Sequence, residues 1–183
     1  MAFSSSTRVI LVSLLLAFSL TSLTFARPNV RAQDDDLIGE VCSKTRNPSF
    51  CVQALKSDPP SGGADLRGLG QISIDLAQAS ATATSSLIDS LIKQTNDPKL
   101  RERYKSCSEN YSDSIGDLGE AKGFLNSGDY GSVNIRASAA LDGADTCDGG
   151  FAGPPAEPAE LKQANQKLED LCSIILVISN RLA

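Results

Sequence analysis

Histidine is absent from the 183 residues of this chain, and its absence excludes several classes of enzyme. A chain without imidazole has no Ser-His-Asp or Cys-His nucleophile system and no zinc site with histidine ligands. A Gly-x-Ser-x-Gly turn, a P-loop and a GxGxxG motif, which mark many hydrolases and nucleotide-binding proteins, are missing too. We therefore expect a protein that is not an enzyme, with no catalytic residues, no metal and no cofactor.

An excess of basic residues is also missing, since 17 Lys and Arg stand against 22 Asp and Glu. An acidic chain without a basic patch is a poor candidate for binding nucleic acid or anionic membranes. The longest apolar run, residues 9–20, is too short to cross a bilayer, which needs about 20 residues. We expect neither nucleic acid nor a membrane among the partners.

The N-terminus does contain the residue order of a secretory signal peptide. Arg8 is followed by the apolar run and then by residues 21–26, in which Thr24 and Ala26 occupy the two small-residue positions before the cleavage site. This order predicts a signal peptide at residues 1–26, with cleavage after Ala32 as the alternative. The remainder, residues 27–183, has the size of one exported domain.

Five cysteines follow the predicted signal peptide, which in an oxidising compartment indicates two disulfides and one free thiol. Their spacing alone does not dictate the pairing. Cys172 lies in the most apolar stretch after the signal peptide, where a buried thiol behaves as a small hydrophobic side chain. We therefore pair Cys42 with Cys51 and Cys107 with Cys147, and expect Cys172 to stay reduced.

The apolar pattern predicts an all-α fold. Two short apolar stretches on either side of the turn signal Asn47-Pro48 indicate a helical hairpin within residues 27–60. Four longer segments within residues 64–183 repeat apolar residues at helical spacing. They are separated by breaks at Asn96-Asp97-Pro98, Gly128-Asp129 and Gly153-Pro154-Pro155. The pattern predicts an up-down-up-down four-helix bundle preceded by a short N-terminal helical hairpin, with two disulfides.

Small residues along the predicted core stripes should let the helices approach closely. In the third long segment these are Ala137, Ala140 and Ala144. In the first long segment the predicted core stripe is Leu69, Ile72, Leu76, Ala79, Ala83, Leu87 and Leu91.

Three acidic residues recur at four-residue spacing in the second long segment. Glu109, Asp113 and Asp117 share one stripe, which faces away from the core stripe of Tyr111 and Leu118. Such a stripe is either a plain solvated face or a recognition face for a protein partner, and spacing does not decide between them.

Two other polar patterns have simpler readings. One is the group Asp142, Asp145 and Asp148, which lacks the alternating order of a calcium loop. It is more typical of a solvated helix end. Asn110-Tyr111-Ser112 is a glycosylation sequon inside a predicted helix, for which we expect low occupancy because Tyr111 points to the core.

Several runs of residues resemble the plant invertase and pectin methylesterase inhibitor family, and the resemblance covers essentially the whole mature chain. It is closer to the pectin methylesterase inhibitors than to the invertase inhibitors. The cysteine spacing is a moderately specific signal, and the runs together are a strong one. The runs are residues 42–51, 69–71 with 74–80, 107–111, 127–130 and 168–172.

The resemblance implies the same fold, the same disulfide pairing and a function. It implies a secreted protein of the plant cell wall that forms a reversible 1:1 complex covering the pectin-binding cleft of a pectin methylesterase. Because such an inhibitor has one contact face, we expect a monomer when it is free. The family's contact positions match Glu109, Asp113 and Thr146 in this sequence, and only the spacing argument adds Asp117 to them. Inhibition of a plant acid invertase is the alternative, and a non-inhibitory ligand carrier or structural wall protein is a further rival. Ser112 and the loose run after Cys147 depart from the family pattern close to this proposed face.

Overall fold

The computed structural model describes residues 37–57 and 61–183, so the predicted signal peptide at 1–26 lies outside the described residues. The described part contains six helices and no strand. They are α1 at residues 37–42, α2 at Pro48–Lys56, α3 at Leu66–Gln94, α4 at Pro98–Ser127, α5 at Tyr130–Gly149 and α6 at Ala159–Leu182. None of the helices in this part of the chain is long and apolar enough to span a membrane.

Local sequence signals explain where the long helices begin and end. The Asp97 side chain accepts hydrogen bonds from the backbone N–H groups of Lys99, at 2.8 Å, and Leu100, at 3.2 Å. Pro98 occupies the first turn of α4, where no N–H is needed. Gly128 ends α4 with a φ of 80°, a left-handed conformation that glycine adopts without steric cost.

Helices α3 to α6 form a four-helix bundle, which confirms the predicted fold class. Each helix packs on its neighbours in the chain, and α3 closes the bundle by packing on α6. Short connections make successive helices antiparallel, as in an up-down-up-down bundle. The largest fully buried side chains come from α2, α3, α4 and α6, and include Leu55, Leu69, Ile74, Ile88, Tyr111, Leu118, Leu125, Leu161, Leu168 and Ile175. Helix α5 buries smaller side chains, namely Val133, Ala137, Ala140, Ala144 and Cys147.

The predicted core stripe of α3 is partly wrong, because Ala79 and Ala83 are exposed. The buried side of α3 instead carries Ser73 and Thr84 among its apolar residues. The Ser73 hydroxyl donates to the Leu69 carbonyl at 2.7 Å and the Thr84 hydroxyl to the Ser80 carbonyl at 2.9 Å. Because these hydroxyls are satisfied within their own helix, they can be buried without a partner on another helix.

The N-terminal helices are fastened to α6. Cys42 and Cys51 form a disulfide that joins α1 to α2. The Arg46 guanidinium, in the turn between them, pairs with the carboxylate of Glu169 and lies 3.4 Å from that of Asp170. Glu169 is 6% exposed, so this pair compensates a nearly buried charge.

Cys172 is a buried free thiol, as predicted from its apolar surroundings. Burial raises its pKa well above the ordinary value, which keeps it protonated at neutral pH. The thiol therefore packs as a hydrophobic group and is unreactive.

Candidate functional site

The predicted contact residues lie on the outer face of α4 and α5. The geometry of this face depends on how closely the two helices pack. The Ser114 hydroxyl lies 2.8 Å from the Asn110 carbonyl of its own helix and 3.2 Å from the Ala140 carbonyl of α5. Gly143 lies opposite: a Cβ built there would overlap Ser114 Oγ and lie 3.1 Å from the Asn110 oxygen. A side chain at position 143 would therefore force either Ser114 to rotate or the two helices to move apart, and glycine avoids both.

A disulfide joins the same two helices at one end. Cys107 and Cys147 are bonded, with their Cα atoms 4.8 Å apart, the pairing proposed from the sequence. Glu109 follows the first cysteine by two residues, and Thr146 directly precedes the second. The bridge closes a loop of 40 residues, which corresponds to about 4 kcal/mol in the chain-entropy account. It therefore holds Glu109 and Thr146 at one end of the face.

Glu109 and Asp113 are both exposed and lie one turn apart on α4. Within residues 37–57 and 61–183 neither carboxylate takes part in an ion pair. Two free carboxylates on a rigid helix present a fixed negative charge to the solvent. The structure therefore leaves both available to a basic partner.

Asp117 lies on the same stripe but has a different environment. Its side chain is 17% exposed, and its carboxylate lies 2.9 Å from Arg136 Nη1 on α5. The second nitrogen of that guanidinium lies 2.7 Å from the carboxylate of Glu120. The structure thus brings Glu109 and Asp113 together as free charges and places Asp117 in a bridge between helices.

Thr146 is exposed at the end of α5, next to a connection that α4 holds in place. Arg103 donates a hydrogen bond to the Gly153 carbonyl at 3.0 Å, and Lys99 donates one to the Pro154 carbonyl at 2.7 Å. The α5–α6 connection is therefore bound to the N-terminal part of α4, which limits its movement beside Thr146.

The sequon at Asn110 lies at the edge of this face. The side-chain nitrogen Nδ2, to which a glycan would be attached, is buried and has no hydrogen-bond partner in the described structure. Tyr111 is fully buried, as predicted from the helical stripe. A glycan at Asn110 would require its side chain to turn out of the interface between the helices.

A second group of polar side chains joins the α5–α6 connection to the core. Glu157 Oε1 accepts a hydrogen bond from Asn165 Nδ2 at 2.7 Å, and the Tyr111 hydroxyl donates to Asn165 Oδ1 at 2.7 Å. Burial, together with the neighbouring carboxyl of Asp148, raises the pKa of Glu157 to about 8. Asp148 in turn lies 3.7 Å from Lys162 Nζ. Asn165 thus connects Tyr111 to Glu157, whereas Glu157 Oε2 and Asp148 Oδ1 are buried without a hydrogen-bond partner in the described residues. We interpret the group as a structural network.

Sequence reasoning missed two features of the face. The bridge from Arg136 to Asp117 and Glu120 has no sequence signal, because it depends on the register between two helices. Ile135 is the other feature: it is 67% exposed and is the only large hydrophobic residue that is exposed in the described part of the chain. Its position off the stripe formed by Val133 and Ala137 was a signal that could have identified it.

The fold and the site define a class: a disulfide-linked, all-helical bundle with a rigid acidic face. The model of the family described as plant invertase/pectin methylesterase inhibitor matches residues 36–178. A pectinesterase inhibitor of Actinidia deliciosa is 59% identical over 182 residues, covering 100% of this chain and 98% of the relative. An inhibitor of fructosidase from Arabidopsis thaliana, of the cell wall and vacuole, is 29% identical, over 97% of this chain and 98% of the relative.

Solved structures show the same relationship. The crystal structure of a mutant form of a pectin methylesterase inhibitor from Arabidopsis superposes with a TM-score of 0.74 at 38% identity. The match covers 80% of this chain and 97% of the solved chain. This protein therefore belongs to the plant invertase/pectin methylesterase inhibitor family.

Proposed function

We propose that this protein is a reversible inhibitor of a plant pectin methylesterase, and that it acts in the cell wall after secretion. The observation that carries the proposal is the 59% identity, over the whole chain, with a pectinesterase inhibitor of Actinidia deliciosa. The relatives that are named as invertase or fructosidase inhibitors are 29–34% identical. Pectin methylesterase is therefore the first candidate target, and acid invertase the second.

The inhibition is a matter of steric exclusion. One molecule of the bundle would cover the pectin-binding cleft of one esterase molecule and so block access of the polymer. The face of α4 and α5 is rigid because of the Cys107–Cys147 bridge and the close contact at Gly143. A preorganised face loses little conformational entropy on binding, which favours affinity.

Glu109, Asp113 and Thr146 are the proposed contact residues, with Asp117 next to them. The two free carboxylates would attract a basic surface around the esterase cleft, which increases the association rate most strongly at low salt. Asp117 would act indirectly, since its bond to Arg136 helps to keep α4 and α5 in register.

The proposal is tested by titrating the oxidised protein, residues 27–183, against a plant pectin methylesterase on methylated pectin, with plant invertase on sucrose in parallel. Stoichiometric loss of esterase activity with unchanged invertase activity is the expected result. Loss of invertase activity alone would identify acid invertase as the target in place of pectin methylesterase. If both enzymes remain fully active, the inhibitor proposal is overturned.

The contact residues are tested by the double variant Glu109→Ala/Asp113→Ala. We expect weaker inhibition, by roughly tenfold at low salt, and a smaller dependence on salt than for the unmodified protein. The matched control is Asp89→Ala/Glu160→Ala, which removes the same charge from exposed positions on α3 and α6. Equal inhibition by both double variants at low and high salt would show that the acidic stripe only keeps the protein soluble.

A further inference from the structure

Ile135 is an exposed large hydrophobic residue on α5. All other large hydrophobic residues of the described part are buried or partly buried, whereas Ile135 is 67% exposed. Single exposed apolar residues are common on proteins and need no explanation by themselves. Ile135, however, lies on the same helix as the proposed contact residue Thr146.

Helical spacing places Ile135 in one stripe with Thr146. Residues 135, 139, 142 and 146 of α5 are separated by four, three and four positions, the repeat of one helix face. Ala139 is partly exposed, and Asp142 and Thr146 are exposed, so the whole stripe reaches the solvent. The stripe runs about 16 Å along α5, at a rise of about 1.5 Å per residue.

The neighbouring stripe of α4 continues this face. Glu109, Asp113, Gly116 and Glu120 follow each other at spacings of four, three and four and are all exposed. The bridge of Arg136 to Asp117 and Glu120 ties the two stripes together next to Ile135, and the disulfide of Cys147 ties them at the other end. Gly116 has no heavy atom within 4 Å of a built Cβ, so no neighbouring side chain covers the α4 stripe at this position.

Resting on the proposed function, we propose that Ile135 is an apolar anchor of the inhibitory face, which extends along both stripes from Thr146 to Ile135. The partner surface it fits is an apolar depression on the esterase, bordered by basic side chains that meet Glu109, Asp113 and Glu120. Binding surfaces commonly combine a buried apolar centre with polar residues around it, and truncation of a central anchor is costly.

Charge favours the esterase over a second copy of this chain as the occupant. In a symmetric dimer through this face, the carboxylates of Glu109, Asp113 and Asp142 would meet the same carboxylates of the other copy. Like charges brought together at an interface are unfavourable, whereas a basic partner makes the same charges favourable.

The test is the variant Ile135→Ala, measured by inhibition of the same esterase at low and high salt. Loss of the buried aliphatic carbons should raise Kd by about ten- to fifty-fold. Because the lost contact is apolar, the factor should be the same at both salt concentrations, unlike that of Glu109→Ala/Asp113→Ala. Leu87→Ala, on a partly exposed position of α3 outside this face, is the matched control and should inhibit normally.

Each outcome separates the two proposals. If the unmodified protein inhibits and Ile135→Ala inhibits equally well, the anchor is refuted and the proposed function stands. If the unmodified protein does not inhibit, the proposed function itself fails. Thermal denaturation should show an unchanged melting temperature for Ile135→Ala, because the side chain is exposed. A dimer of the unmodified protein that dissociates in Ile135→Ala, seen by sedimentation, would assign the face to a second copy and overturn the proposal.

Discussion

Replacement of Gly143 by alanine should destabilise the bundle through the contact between α4 and α5. The new Cβ would overlap Ser114 Oγ and approach the Asn110 carbonyl to 3.1 Å. Either the helices move apart or Ser114 rotates away from its two carbonyl acceptors. Overpacking of this kind costs up to about 3 kcal/mol, and the better helix propensity of alanine returns about 1 kcal/mol. The expected net loss is about 2 kcal/mol, or about 4–8 °C in melting temperature.

A double-variant cycle identifies the cause. In Ser114→Ala the overlapping oxygen is absent, and the Ser114 Cβ lies 3.7 Å from the built Cβ, an ordinary contact. Gly143→Ala combined with Ser114→Ala should therefore be about 1–2 kcal/mol more stable than the sum of the single effects predicts. Stability is measured by calorimetry on the oxidised protein.

Gly123→Ala serves as the control for alanine in a helix. Gly123 also lies within α4, and no heavy atom is found within 4 Å of its built Cβ. This variant should be neutral or up to about 1 kcal/mol more stable than the unmodified protein. If Gly143→Ala melts at the same temperature as Gly123→Ala, the reasoning on close helix packing is refuted.

Two further predictions concern the buried network. Tyr111→Phe removes the donor to Asn165 Oδ1 and leaves that oxygen buried, so the free energy of unfolding should fall by about 1–3 kcal/mol, measured by urea denaturation; an unchanged value would mean that another donor replaces the hydroxyl. Burial and Asp148 raise the pKa of Glu157 from its ordinary 4.5 to about 8, so folding favours the protonated carboxyl. Its contribution should be fully present below pH 4.5 and lost as the pH rises through 8. Glu157→Gln should flatten this part of the stability profile, and an unchanged slope would contradict the assignment.

The start and end of the long helices could be predicted because they depend on neighbouring residues. The Asp97 cap, Pro98 in the first turn and the left-handed Gly128 are interactions within a few positions of the chain. Repeated apolar residues were sufficient for the bundle because a helix with one apolar stripe must bury that stripe. The free thiol of Cys172 followed from the same argument, since its stretch is apolar throughout.

The buried side of α3 could not be predicted in full. This helix carries small and weakly polar residues all round, so more than one stripe is compatible with burial. Ala79 and Ala83 fit the apolar repeat and are exposed, whereas Ser80 and Thr84 are buried. A Ser or Thr hydroxyl that donates a hydrogen bond within its own helix can be buried at little cost. The periodicity of apolar residues does not reveal such positions.

The candidate face likewise has features that the sequence predicts and features that it does not. The helices, their ends and a stripe of acidic residues on α4 follow from local sequence, because spacing along a helix determines which residues share a side. Which of these carboxylates are free depends on how the helices pack against each other. Arg136 pairs with Asp117 and not with Asp113 in the described residues, and this choice depends on how α5 packs against α4. A contact between residues on two helices depends on that packing, and the spacing of residues within either helix does not predict it.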